Sequence, residues 1–162
     1  MEESQRSRKL LSWDEFSRLM SDLAESIKQD PDSGRGYDSI ICINRGGLVA
    51  GRMLSDMLGL PLGVVSAGYY SRGSQDAGEF VLDRKVSMTG SAGRRILLVD
   101  DIAGSGKTLL AVRQWLQEMY PDSTIHTAVM FQRPEKGFDV DYFARIEEDW
   151  IVFPYEANEF SS

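Results

Sequence analysis

The sequence predicts an α/β fold in which a central parallel sheet carries helices on both faces. Two patterns and the chain length support this. Short apolar runs of strand length alternate with amphipathic segments of helical period. One such run, Ile96-Leu97-Leu98-Val99, leads into Asp100-Asp101, then a glycine-bearing turn and a helix start. That is the order expected at the carboxyl edge of a buried parallel strand. The chain has 162 residues, enough for one domain over 1–162 with its own core.

The elements follow in order. Ser12-Trp13-Asp14-Glu15 has the form of a capping box, with Ser12 at the N-cap and Glu15 three residues on. Phe16, Leu19, Met20, Leu23, Ala24 and Ile27 recur on one face, so a helix is predicted over 12–28, ended by Pro31, Gly34 and Gly36. Residues 37–43 form a first core strand. A second helix spans 47–58, with Val49, Ala50, Met53, Leu54, Met57 and Leu58 inward and Gly59 as its C-cap. A second strand occupies 62–66. Segment 68–93 is rich in glycine and polar residues, with a short alternating piece at 79–86 that fits one strand of a loose hairpin. A segment of that kind is expected to be a flexible functional flap or a disordered insert. The strand at 96–99 precedes a helix over 107–119, whose buried face is expected to be Leu109, Leu110, Val112, Trp115, Leu116 and Met119. Strands at 124–131, 141–146 and 150–153 complete the chain, with no internal repeat or linker.

Composition narrows the function. The formal net charge of −7 argues against nucleic acid as a main partner, because phosphate backbones reward clusters of Lys and Arg. No apolar run approaches the ~18 residues of a membrane span. The polar start of the chain lacks the apolar core of a signal peptide, so a cytoplasmic protein with no membrane partner is expected. Cys42 lies in an apolar run and is expected to be a small buried residue in a reducing compartment. His126, with one distant Cys, cannot build a zinc site, and a structural or solvent-facing role is expected.

The chemistry concentrates in 100–108. Gly104 and Gly106 let the backbone approach an anion, and the helix that follows presents unpaired N–H groups and a partial positive charge. Ser105 and Thr108 add hydroxyl donors, and together these make a phosphate site. Asp100 and Asp101 would repel a phosphate beside them. They are suited instead to vicinal sugar hydroxyls, directly or through Mg²⁺. A sugar phosphate satisfies both halves. Two other readings stand beside this one. The acids could cap the helix over an ordinary turn. Alternatively, Gly106-Lys107-Thr108 could close a nucleotide P-loop, although that motif needs glycine where the chain has Asp101.

Asn44-Arg45-Gly46-Gly47 repeats the same logic after the first core strand. Arg45 adds a fixed fork-shaped cation for phosphate oxygens, the alternative being a plain turn with a solvent-facing Arg. Two anion loops at one sheet edge suit a ligand with two phosphate ends. In the tail, Trp150 and Phe153 can sandwich a flat heterocycle or serve only as core.

The run from Ile96 to Leu109 resembles the signature of type I phosphoribosyltransferases, which bind 5-phosphoribosyl 1-pyrophosphate (PRPP). The resemblance implies a Rossmann-like three-layer fold with a flexible flap at about 68–93 and a small C-terminal hood at about 132–158. It implies Asp100 and Asp101 on the ribose hydroxyls and on Mg²⁺, directly or through water. It implies Ala103, Gly104, Ser105, Gly106, Lys107 and Thr108 around the 5′-phosphate. Arg45 and Gly46 would hold pyrophosphate, with a cis peptide between them, and Asp100, Asp101 and Arg45 would be the catalytic residues. The tail Asp149-Trp150-Ile151-Val152-Phe153-Pro154-Tyr155-Glu156 resembles the hood of xanthine–guanine and related bacterial and archaeal 6-oxopurine phosphoribosyltransferases. There Trp150 would stack on the base, the Ile151 carbonyl would read its 2-position, and Glu156 would belong to the base site. Arg133 stands where that group has a Lys on the base O6.

One departure stands out. Gly104 occupies the place of an Asp that contacts the purine N7. The implied function is Mg²⁺-dependent transfer of phosphoribose from PRPP to guanine, xanthine or hypoxanthine in purine salvage, by a homodimer or homotetramer. The alternatives are a PRPP-binding regulatory protein of the same fold, or a phosphoribosyltransferase for a non-purine acceptor. Tyr69, Tyr70, Arg72, Arg84 and Lys85 are the flap residues expected to act on closure.

Overall fold

A computed structural model describes residues 7–30, 36–70, 78–135 and 137–160. Its elements are β1 (Arg8–Leu10), α1 (Trp13–Gln29), β2 (Ser39–Asn44), α2 (Gly47–Leu58), β3 (Leu62–Tyr70), β4 (Glu79–Leu82), β5 (Ser87–Met88), β6 (Arg95–Ala103), α3 (Lys107–Met119), β7 (Thr124–Gln132), β8 (Tyr142–Ile146) and β9 (Trp150–Val152), followed by a 3-10 turn at Ala157–Phe160. The central sheet runs β4-β3-β2-β6-β7-β8, with β5 also paired to β3. The pairs β2–β3, β2–β6, β6–β7 and β7–β8 are parallel, and β4 and β5 run antiparallel to β3.

Three layers follow from the side-chain pattern. Phe16, Leu19, Met20, Leu23, Ala50 and Leu54 of α1 and α2 pack on one face of the sheet. Leu109, Val112, Trp115 and Leu116 of α3 pack on the other. Leu110 and Met119, expected inward, are exposed at 41% and 40%, because α3 buries a narrower stripe than its apolar residues suggest. Cys42 is fully buried, and a side chain on Gly51 of α2 would stand 3.1 Å from its Sγ.

The expected start of α1 is half realised. Ser12 Oγ accepts from the Glu15 N–H at 3.1 Å. The Glu15 carboxylate, however, turns to Arg145 of β8 at 3.0 Å and does not complete the box. Gly59 ends α2 in the left-handed region, φ 67°. The 68–93 segment is more ordered at its ends than expected. β3 continues to Tyr70, β4 returns beside it, and β5 pairs with it further back. Its central part, including Arg72, lies outside the described residues.

His126 has the structural setting expected of it, edge-on to Tyr37 at 5.6 Å. The larger surprise is β1. The polar segment at 8–10 forms a strand parallel to β9, with Leu11 N–H donating to the Val152 carbonyl at 3.0 Å.

Candidate active site

The strand order places a crevice between β2 and β6. From β2 the chain crosses to β3 through α2, and from β6 it crosses to β7 through α3 on the opposite face. The loops leaving β2 and β6 therefore part at their carboxyl ends, where open α/β sheets bind ligands. Both loops predicted from sequence flank this point.

β6 runs further than its apolar run. Asp100 and Ala103 are strand residues, in register with Val129 and Gln132 of β7. The acids are thus held by a sheet rather than by a loop. Asp101 N–H donates to Asp100 Oδ1 at 2.9 Å, and Ile102 N–H donates to Asp101 Oδ1 at 2.7 Å.

The glycines of the first loop let it close on this pair. A Cβ on Gly46 would sit 2.6 Å from Asp101 Oδ2, and one on Gly47 would sit 2.6 Å from the Val99 carbonyl and 3.1 Å from Asp100 Cα. No other residue type fits without displacing the acids or their strand. Arg45 is exposed at the head of this turn. The cis peptide is at Asn44–Arg45, one bond earlier than the expected Arg45–Gly46.

The second loop is a concavity of about 220 Å³. Its wall is the chain from Ile102 to Leu109, with Asp100 and Tyr69 completing it. Ala103, Gly104, Ser105, Gly106, Lys107 and Thr108 all line it. Gly106 is in the left-handed region at φ 70°, and α3 has no side-chain cap, so its first N–H groups are left for a ligand. Beneath the loop, Gly137 and Phe138 pack directly against Ser105 and Gly106. Gly104 is exposed, and a Cβ there would meet nothing within 4 Å.

Electrostatics match the geometry. Burial, and then the charge of Asp101, holds the Asp100 carboxyl well above the usual carboxylate range. Burial raises Asp101 as well, while the Ile102 N–H opposes the shift. Two buried like charges lower their free energy by meeting hydroxyl donors or a cation. Among the described residues no group of three or more His, Cys, Asp or Glu could hold a metal. A two-carboxylate donor set fits Mg²⁺ that keeps waters and substrate oxygens as its other ligands.

The hood is tied to this site by Arg133. Its backbone N–H donates to the Ala103 carbonyl at 2.9 Å. Its guanidinium is buried, and Nη1 donates to the carbonyls of Glu147, at 3.0 Å, and of Asp149. Arg133 therefore braces the turn that launches β9. Trp150 is partly exposed at 37%, Ile151 is buried, and Glu156 Oε2 accepts from Phe153 N–H at 3.2 Å. Phe153 is core rather than one side of a sandwich: it is 1% exposed and contacts Phe16, Phe131 and Tyr155.

Sequence reasoning missed three contributors. β1 offers too little apolar character to be seen. Gly137-Phe138 sits in a polar loop with only its glycine as a signal. Tyr155 stands within the tail run, and its hydroxyl is buried; burial first, and then the charge of Asp101, pushes it above the ordinary phenol value.

Comparison with known proteins agrees with this geometry. Residues 7–159 match the family model described as a phosphoribosyl transferase domain. The chain is 32% identical over 150 residues to the xanthine-guanine phosphoribosyltransferase of Cereibacter sphaeroides, covering 90% of this chain and 85% of that protein. It resembles the crystal structure of a purine phosphoribosyltransferase from Pyrococcus horikoshii, with TM-score 0.74, 29% identity and coverage of 93% and 94%. It also resembles the Helicobacter pylori xanthine-guanine-hypoxanthine phosphoribosyltransferase, with TM-score 0.79, 25% identity and coverage of 94% and 96%. A family model that matches residues 7–159 and a 32% identity over 150 residues, across nearly the whole chain, place this protein in the phosphoribosyltransferase family.

Proposed function

We propose that this protein transfers the 5-phosphoribosyl group of PRPP to a 6-oxopurine (guanine, xanthine or hypoxanthine) and releases pyrophosphate. The observation that carries the reading is the contact of Gly46 with Asp101 beside the concavity that Asp100 shares with the 102–109 loop. One ligand with a phosphate at each end and a diol between them fits that arrangement.

The bond from ribose C1 to the pyrophosphate oxygen breaks, a bond from C1 to a purine nitrogen forms, and the proton of that nitrogen passes to the released pyrophosphate or to solvent. Positive charge develops at C1 and on the ring oxygen. The two loops hold the sugar by its ends, which removes most of the orientational cost. The Asp pair accepts from the ribose hydroxyls and places negative charge beside the developing cation. Arg45 and the N–H groups of its turn receive the leaving pyrophosphate. Asp100 and Asp101 would hold Mg²⁺, directly or through water, and the ion would supply charge neutralisation for the leaving group. Trp150 offers an aromatic face to the base, and the Ile151 carbonyl and Glu156 line its edge. The enzyme is expected to act as a homodimer or homotetramer, which its sedimentation velocity would test.

The test is incubation with PRPP, Mg²⁺ and a panel of bases while pyrophosphate is followed. Release with guanine, xanthine or hypoxanthine supports the reading. Gly104 favours a second one, since it puts no acid beside the base: a PRPP-binding regulatory protein. PRPP binding with no release for any base would select that alternative, and release only with a pyrimidine would redirect the acceptor.

A further inference from the structure

Strand β1 adds almost nothing to the apolar core. Arg8 and Leu10 are exposed, Leu10 at 73%, so burial does not explain why the segment is held. Its ties are polar, and all of them run to the start of the hood. Trp150 N–H donates to the Ser7 carbonyl at 2.8 Å, and Leu11 N–H donates to the Val152 carbonyl at 3.0 Å. Between these bonds Lys9 stands opposite Ile151. The Lys9 ammonium donates to Glu147 Oε2 at 3.1 Å, and Ser7 Oγ donates to Asp149 Oδ1.

The turn at 147–149 is organised around the same carboxylate. Glu147 Oε1 accepts from the N–H groups of Glu148, at 3.1 Å, and of Asp149, at 3.3 Å. One oxygen of Glu147 therefore shapes the turn while the other takes Lys9. Arg133 holds the backbone of this turn through its two carbonyls, and Lys9 holds its side chain from β1.

The pairing also sets the phase of β9. Along a strand, the N–H and C=O of successive residues point to opposite edges. The Trp150 N–H and the Val152 carbonyl both meet β1. The Ile151 carbonyl thus points to the other edge, where no strand pairs with β9 among the described residues. A slip of one residue would turn the Ile151 carbonyl into the ladder and those of Trp150 and Val152 away from it.

We propose that Lys9 is a positioning residue for the base: with the Ser7 carbonyl, it locks β9 in the phase that leaves the Ile151 carbonyl free to accept from the purine. The inference rests on the phosphoribosyl-transfer reading above and deepens it, adding the strand at 8–10 to the base site. An acceptor fixed in advance spares the base the cost of ordering the hood as it binds.

Lys9→Pro removes the ammonium together with an N–H on the β9 side of β1, two residues before that of Leu11. KM for the accepted base is expected to rise about tenfold, with KM for PRPP and the melting temperature unchanged. Lys9→Met keeps the stem and loses only the charge, so about a threefold rise in the same KM is expected. Lys9→Arg keeps the charge and should stay near wild type. A base KM for Lys9→Pro within about twofold of wild type overturns the proposal and leaves the enzyme reading intact. Both KM values raised together with a lower melting temperature also overturn it, because β1 would then be serving the fold. If Lys9→Pro does not fold, Lys9→Met decides, and a base KM equal to wild type overturns the proposal. Wild-type protein that releases no pyrophosphate with guanine, xanthine or hypoxanthine overturns the functional reading itself, and this inference with it.

Discussion

Replacing Gly46 by alanine would test whether the two anion loops and the acid pair serve one ligand. Gly46 has φ −54° and ψ −44°, which alanine adopts without strain, so the backbone itself is not perturbed. The new Cβ would stand 2.6 Å from Asp101 Oδ2 and 2.7 Å from its Cγ and Oδ1. Ordinary contact begins at 3.4 Å, so the carboxylate or the turn must give way by about 0.8 Å. A displacement near 1 Å at a positioned group costs about a hundredfold in rate, or about 2.7 kcal/mol of transition-state stabilisation. Overpacking adds about 1–3 kcal/mol of lost folding stability.

The assay is pyrophosphate release at saturating base and varied PRPP, with a thermal melt on the same samples. Gly68→Ala is the control, since its Cβ would meet nothing within 4 Å. A Gly46→Ala enzyme within about threefold of wild type in kcat/KM for PRPP would refute the reasoning, because a 0.8 Å shift of Asp101 would then be without consequence.

Three further outcomes are expected. Gly106→Ala should destabilise the fold by about 2 kcal/mol or more and remove phosphate binding, because its φ is +70° and the new methyl would collide with Phe138; denaturant melts and PRPP titration check both. Asp100→Asn should abolish PRPP binding yet raise the melting temperature at neutral pH. Native Asp100 holds its proton more tightly than the unfolded chain, so wild-type stability falls as pH rises above the ordinary carboxylate value of 3.8. The gain of the Asn variant should therefore widen with pH and vanish below that value. Arg133→Ala should raise KM for the base about tenfold or more with little change for PRPP, because the carbonyls of Glu147 and Asp149 lose the donor that sets the start of β9; paired KM measurements decide it.

Much of this molecule was legible in local pattern. The bounds of α2 and α3 follow from apolar period and flanking glycines, and the structure returns 47–58 and 107–119 as read. The glycine loop at 103–108 was legible because a strand end, two glycines and a helix start occupy adjacent positions in the chain. The burial of Cys42 followed from its apolar run. These signals lie within a few residues of one another, and turn chemistry and side-chain period act over that distance.

Tertiary structure alone decided the rest. Strand β6 absorbs both acids because β7 offers backbone partners as far as Gln132, and hydropathy carries no trace of that pairing. The polar residues at 8–10 become a strand only because β9 presents a free edge to them. Phe153 and Trp150 are alike as aromatics, yet one fills the core and the other faces outward, because Phe16, Phe131 and Tyr155 close around the first. The hydrogen bonds from Arg133 to the turn at 147–149 leave no trace in sequence, because the two segments meet only in the folded chain. In each case the deciding partner is many residues away, and the free energy that chooses the outcome exists only after the chain has closed on itself.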